Sequence, residues 1–235
     1  MNKTIGILGG MGPFATVDLF NKILENTPAE VDQDHLKIMI YNNPKIPPRV
    51  HPTFQSASPL PELIKSAVIL QEAGADFLIM PCHTAHIWYE EIQKHLTIPF
   101  YSIIKNTVVS IDQLYGGKEN NKLLLLATET TIQSKLYQRE FENSSFSITI
   151  PNSEEQKIVD KAIKSVKGGD LNPRSLTMDK LNQIINRYKD GGASLLVGCC
   201  TEIPLMYPLF QTEMELVDPT LLLAKLAIAK AMEEE

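Results

Sequence analysis

Eight short apolar runs alternate along this chain with longer stretches in which apolar residues recur every three or four positions. The runs are IGIL, LKIMIY, DFLIM, IPFYSI, LLLLA, FSITI, SLLVG and MELV. The intervening helical stretches are Phe14 to Asn26, Leu60 to Ala73, Thr84 to His95, Ser153 to Lys167 and Ser175 to Lys189, with a last helix over Thr220 to Met232. Several open after Pro or Ser, residues suited to a helix start. Strand-like runs alternating with helical spacing predict an α/β protein built on parallel sheet.

The pattern also repeats. Gly74 to Thr84, GADFLIMPCHT, aligns without gaps on Gly192 to Glu202, GASLLVGCCTE, so that Cys82 coincides with Cys200. The same offset lays the opening strand, Thr4 to Gly10, on Lys122 to Thr128. Two similar parallel-sheet α/β halves are the economical reading. LKIMIY and FSITI do not fall at that offset. The segment after Met214 lies beyond the second repeat and is expected to return to the first half. The expected domains are therefore 1–102 plus 215–235, and 103–214.

Composition narrows the class. Hydrophobic residues at 43%, charged residues at 21% and aromatics at 7% describe an ordinary globular chain of 235 residues. The net charge of −6 and the scattered Lys and Arg argue against nucleic acid and anionic membrane as partners. Glycine arrives before any apolar core of signal-peptide length, and no apolar run reaches membrane-spanning length, which predicts a cytoplasmic protein. Three cysteines, two of them adjacent, make a poor disulfide framework and are expected to be free thiols.

The candidate chemistry sits at the strand ends. Ligands of open parallel sheets lie beyond the carboxyl ends of the strands, where each repeat places a cysteine followed by Thr84 or Thr201 as a helix begins. A helix N-terminus lowers a thiol's pKa, and the two threonines are suited to capping those helices or to holding a carboxylate. A lone buried cysteine is most often packing. Two at equivalent strand ends converge on a common cleft, where one takes a proton from a carbon acid and the other returns it to the opposite face. That inverts a stereocentre. Cys199 points the other way along the strand and reads as packing. Cys82, His83, His86 and the Cys199–Cys200 pair lack the usual spacing of a zinc site, so no metal is expected. GILGGMGP fits neither a dinucleotide fingerprint nor a P-loop, and its glycines serve equally a tight turn or a ligand. Arg49 and Lys167 are candidate carboxylate partners, and each reads equally well as a solvated surface charge.

Taken together, GILGGMGPFATVDLF, DQDHLKIMIYNNPKIPPR, GADFLIMPCHTAH and GCCTEIPL resemble the aspartate/glutamate racemase family, in the branch containing aspartate racemases. The resemblance spans nearly the whole chain. It implies a homodimer of subunits whose two α/β domains are related by pseudo-twofold symmetry, with the active site in the cleft between them, that interconverts the enantiomers of a small acidic amino acid without pyridoxal phosphate or metal. It implies Cys82 and Cys200 as the two bases, and substrate contacts from Met11, Arg49, Thr84, Lys167 and Thr201. His83 stands where the family carries Asn, within the same substrate-binding segment. Pro48 replaces a usual acidic residue and Cys199 a usual Gly. Two other functions compete: a single-thiol decarboxylase or isomerase of the same superfamily, and a non-catalytic sensor of a dicarboxylate or of redox state.

Overall fold

In the computed structural model, which describes residues 2–49, 57–117, 121–170 and 176–233, each of the eight apolar runs folds as a strand. In the first half β1 (Ile5–Gly9), β2 (Ile38–Asn42), β3 (Phe77–Ile79) and β4 (Phe100–Tyr101) form a parallel sheet in the order β2-β1-β3-β4. In the second, β5 (Lys122–Leu126), β6 (Ser147–Thr149), β7 (Leu195–Gly198) and β8 (Glu215–Val217) form another in the corresponding order, β6-β5-β7-β8. The inner strands keep one register: Ile5 pairs with Phe77 and Leu123 with Leu195, both related by the offset from Cys82 to Cys200. The outer strands drift. Ile38 pairs with Ile5, whereas Ile148 pairs with Leu123, which is why LKIMIY and FSITI fall out of alignment.

Helices cover the sheets because their apolar faces have no other burial. They are α1 (Pro13–Asn26), α2 (Leu60–Glu72), α3 (Tyr89–Gln93), α4 (Ile103–Tyr115), α5 (Glu129–Gln133), α6 (Leu136–Glu140), α7 (Ser153–Lys167), α8 (Leu176–Asp190), α9 (Glu202–Leu205) and α10 (Pro219–Met232). Gly74 and Gly192 end the turns after α2 and α8 at φ of 101° and 90°, so the repeat extends to equivalent left-handed turns before β3 and β7. Ser175, the expected start of α8, lies outside the described residues.

Three expectations need revision. The single helix expected over Thr84 to His95 is a 3-10 helix, Thr84–Trp88, followed by the short α3. Its first turn closes by His86 N donating to His83 O at 3.0 Å, an i to i+3 bond. Helix α4 was not anticipated, although Ile103, Thr107 and Ile111 make a buried stripe at helical spacing. The chain divides into one compact unit of Met1–Thr107 with Thr220–Glu235 and a second of Val108–Pro219. Strand β8 therefore belongs to the second sheet, bonded to β7, and not to the first half where the repeat boundary puts it. A short parallel strand cannot leave the sheet without exposing its own hydrogen-bonding groups.

Each unit has its own apolar core: Leu8, Leu63, Leu78, Met80 and Ile92 in the first, Leu124, Val159, Leu181, Leu196 and Ile203 in the second. Among the described residues no helix is long and apolar enough to cross a membrane.

Gly10, directly after β1, has φ of 99°, and a Cβ there would lie 2.4 Å from the Asn43 carbonyl carbon. Gly192, with φ of 90°, would meet nothing within 4 Å. Gly192→Ala is expected to cost about 1 kcal/mol, the strain of a left-handed alanine, and Gly10→Ala clearly more because backbone must also move. Urea midpoints of the two variants test the ranking; equal midpoints contradict it.

Candidate active site

The strand order dictates where a ligand can reach each unit. The chain leaves β1 for β2 on one side and β3 lies on the other, so the connections after β1 and β3 diverge at their carboxyl ends. Such switch points form the crevices in which open α/β sheets bind ligands. In the first unit the point is flanked by Gly10 and Met11 after β1 and by Cys82, His83 and Thr84 after β3. In the second, Thr128 follows β5, and Cys199, Cys200 and Thr201 follow β7.

In the first unit the turn after β1 is tied down locally. Thr16 Oγ1 accepts from Gly10 N at 2.9 Å and donates to Gly12 O at 3.2 Å. Arg49 closes over it: Nη2 donates to Met11 O at 3.2 Å, and Nη1 to Pro47 O at 3.3 Å and Ile46 O at 3.5 Å. Its Nε is buried and has no hydrogen-bond partner among the described residues. Met11 and Arg49 are thus brought together, and Met11 shares one apolar cluster with Cys82. Cys82, His83 and Thr84 are all buried.

Cys82 is positioned through its main chain by a residue that the sequence suggested only as a metal ligand. His86 Nε2 lies 3.2 Å from Ile103 N, which can only donate, so Nε2 is bare and Nδ1 carries the proton. Nδ1 then donates to Cys82 O at 2.8 Å. The ring stacks on Tyr89 at 5.6 Å, and the Tyr89 hydroxyl bonds Phe100 O. Burial pushes the imidazole pKa down to about 4, against the pull of the Cys82 carbonyl, so His86 is neutral at pH 7. Both ring nitrogens are committed to main chain, which leaves no lone pair for a metal.

In the second unit the placement begins with a helix cap. Asn152 Oδ1 accepts from Glu154 N and Glu155 N, and Glu155 Oε2 accepts from Asn152 N, a capping box that fixes the start of α7. Lys167 is the last residue of that helix, where a cation suits the helix dipole. Its Nζ lies 3.9 Å from Glu202 Oε2. The same oxygen accepts from Cys200 Sγ at 2.9 Å and from Thr201 Oγ1 at 3.4 Å. Lys167, Cys200 and Thr201 are therefore gathered around Glu202, itself 1% exposed. Glu202 is the member of this cluster that sequence reasoning passed over. Its signal was available, since a carboxylate inside the apolar GCCTEIPL is rarely buried without partners, and the repeat aligns it on Thr84.

The local electrostatics differ from those expected. Neither Thr84 nor Thr201 caps a helix with its side chain: a 3-10 helix, Thr84–Trp88, follows Cys82 and runs on into α3, and the one-turn α9 follows Cys200. A helix of one turn offers little dipole. Burial and the adjacent Glu202 charge instead drive the Cys200 thiol well above its ordinary pKa, opposed by Lys167. Cys199 is fully buried beside the Tyr137 hydroxyl, and burial raises its thiol too. The adjacent cysteines have different partners, Tyr137 and Glu202, which fits packing for Cys199 and gives no support to a redox pair.

The family model described as Asp/Glu/Hydantoin racemase matches residues 8–227. Over 96% of both sequences, the chain is 29% identical to the broad specificity amino-acid racemase RacX of Bacillus subtilis. The structure of Picrophilus torridus aspartate racemase matches with a TM-score of 0.81 at 31% identity, over 99% of this chain and 95% of that one. Glutamate racemase from Francisella tularensis, solved with D-glutamate, gives 0.67 at 17% identity over 96% of this chain and 79% of that one, a likeness of fold.

His86 generates a pH test of the Cys82 support. Below its ordinary 6.5 the unfolded chain protonates this ring, while the folded protein resists down to about 4. Stability from this group is complete above about pH 6.5 and falls as pH drops towards 4, by about 3 kcal/mol for a shift of this size. The stability difference between the parent protein and His86→Gln, measured by denaturation from pH 7 to pH 4, is expected to shrink accordingly. A constant difference contradicts a neutral, doubly bonded His86.

Proposed function

Because the chain belongs to the Asp/Glu/hydantoin racemase family, we propose that it interconverts the enantiomers of an amino acid, without pyridoxal phosphate, through Cys82 and Cys200 acting as two acid/base groups. The observation that carries this reading is that the two cysteines end equivalent inner strands, β3 and β7, of two sheets with corresponding order and inner register. One thiolate takes the proton from Cα, forming S–H as C–H breaks, and the electron pair moves into the substrate carboxylate. The other thiol returns a proton to the opposite face. With no cofactor to hold the pair, fixed dipoles and cations have to stabilise the enolate.

We assign substrate contacts to Met11, Arg49, His83, Thr84, Lys167 and Thr201. Aspartate is the first choice, glutamate the second. The buried Nε of Arg49, which has no hydrogen-bond partner among the described residues, supports a carboxylate contact there. A homodimer follows from the resemblance, and three free thiols suit a reducing cytoplasm.

A broader substrate range is the second reading, and a specific observation favours it. Arg49 already serves three carbonyls and Lys167 faces Glu202, so neither cation is wholly available to a side-chain carboxylate. His83 in place of Asn and the naming of the Bacillus subtilis relative point the same way.

Protein freed of pyridoxal phosphate and assayed on D- and L-aspartate is expected to racemise both. Cys82→Ala and Cys200→Ala are each expected to lose about a thousand-fold or more. Substantial activity in either variant contradicts the two-base reading. A panel of apolar and acidic amino acids run alongside separates the narrow from the broad substrate range.

A further inference from the structure

We propose that Glu202 makes the two cysteines unequal, holding the proton on Cys200 so that the resting protein carries a thiol there and the proton-accepting role falls to Cys82. This rests on the two-cysteine reading of the function. Cys200 Sγ and Glu202 Oε2 are 2.9 Å apart, with the two residues 5% and 1% exposed. Thr201 Oγ1 and Lys167 Nζ address the same oxygen at 3.4 Å and 3.9 Å. An oxygen ringed by a thiol, a hydroxyl and an ammonium is an ionised acceptor, and the thiol is then the donor. Ionising Cys200 would put a second anion against the first at a buried position, where like charges are poorly screened. The charged groups felt by Cys200 are Glu202 from α9, which disfavours the thiolate, and Lys167 from α7, which partly offsets it.

Among the described residues the first half shows no counterpart. Thr84 occupies the aligned position of Glu202, and Cys82 is instead held through its carbonyl by the neutral His86. The asymmetry fixes an order of events. In the favoured direction Cys82 as thiolate takes the Cα proton and becomes a thiol. Cys200 gives its proton to the opposite face and is left as a thiolate beside Glu202. Solvent then returns a proton to Cys200 and accepts one from Cys82, restoring the resting form. The reverse direction has to begin from the disfavoured Cys200 thiolate. That form is a tautomer of the resting one, with the same number of protons and a smaller population.

The test is the pH dependence of Cys200 alkylation by iodoacetamide in Cys82→Ala protein, with the labelled cysteine located by fragment mass spectrometry to separate it from Cys199. Half-maximal reaction is expected above the ordinary thiol value of about 8.5. Glu202→Gln, which removes the charge and keeps an acceptor, is expected to lower that midpoint by about a unit, with roughly ten-fold more reaction at a fixed lower pH. Lys167→Met, a change on a partly exposed side chain, is expected to raise it. A midpoint unmoved or raised in Glu202→Gln overturns the proposal. Should that variant not fold, an unmoved or lowered midpoint in Lys167→Met does so. Alkylation needs no turnover, so failure of the two-base reading shows separately, as racemisation that survives Cys82→Ala.

Discussion

The inner strands β1 and β3, β5 and β7 are buried along almost their whole length, only Lys122 at the start of β5 being partly exposed. Side chains that alternate between two covered faces have to be apolar on both, so polar chemistry is excluded from the strands and deferred to the residues just beyond them. The strand order makes the connections diverge at those ends. Met11, Cys82 and Thr84 in one unit, and Cys200 and Thr201 in the other, occupy the places that this constraint leaves for function. The tight turn at Gly10 and the left-handed glycines before β3 and β7 are the local means by which the chain satisfies it.

The same constraint makes the cysteines unlike. A buried strand end leaves main-chain and side-chain polar groups that require partners, and the two units supply different ones. The first uses a neutral imidazole to hold the Cys82 carbonyl, and the second gathers the Cys200 thiol, an ammonium and a hydroxyl around the Glu202 carboxylate. Equivalent backbone positions thus carry different electrostatics. A racemase needs one acid and one base at any moment, and two environments that differ in charge provide them more directly than two identical ones.

Much of the fold was legible because burial on both faces writes itself as unbroken apolar runs, and all eight became strands. The cysteine pair was legible because the inner strands keep their register while the outer ones drift. Helix α4 was overlooked where its stripe follows directly on β4. The place of β8 depends on hydrogen bonding to β7, which no local pattern encodes. At the site, Glu202 escaped notice because, although Cys200 and Thr201 are its neighbours in sequence, Lys167 comes to it from the last turn of α7 only in the fold. His86 escaped because its role is to bond main chain, including Ile103 N, for which residue type gives no cue. The thiol was expected to be lowered by a helix N-terminus. The helix that begins after Cys200, α9, is a single turn, and burial beside Glu202 outweighs it there.

The most direct test of two-base racemisation is the fate of solvent hydrogen. With L-aspartate in deuterium oxide at low conversion, deuterium is expected at Cα of the D-product while the recovered L-substrate stays unlabelled. A thiol that removes a proton from one face cannot label that face before the other thiol has delivered its own. Equal early labelling of recovered substrate and product would contradict the account, as would racemisation that leaves the product unlabelled.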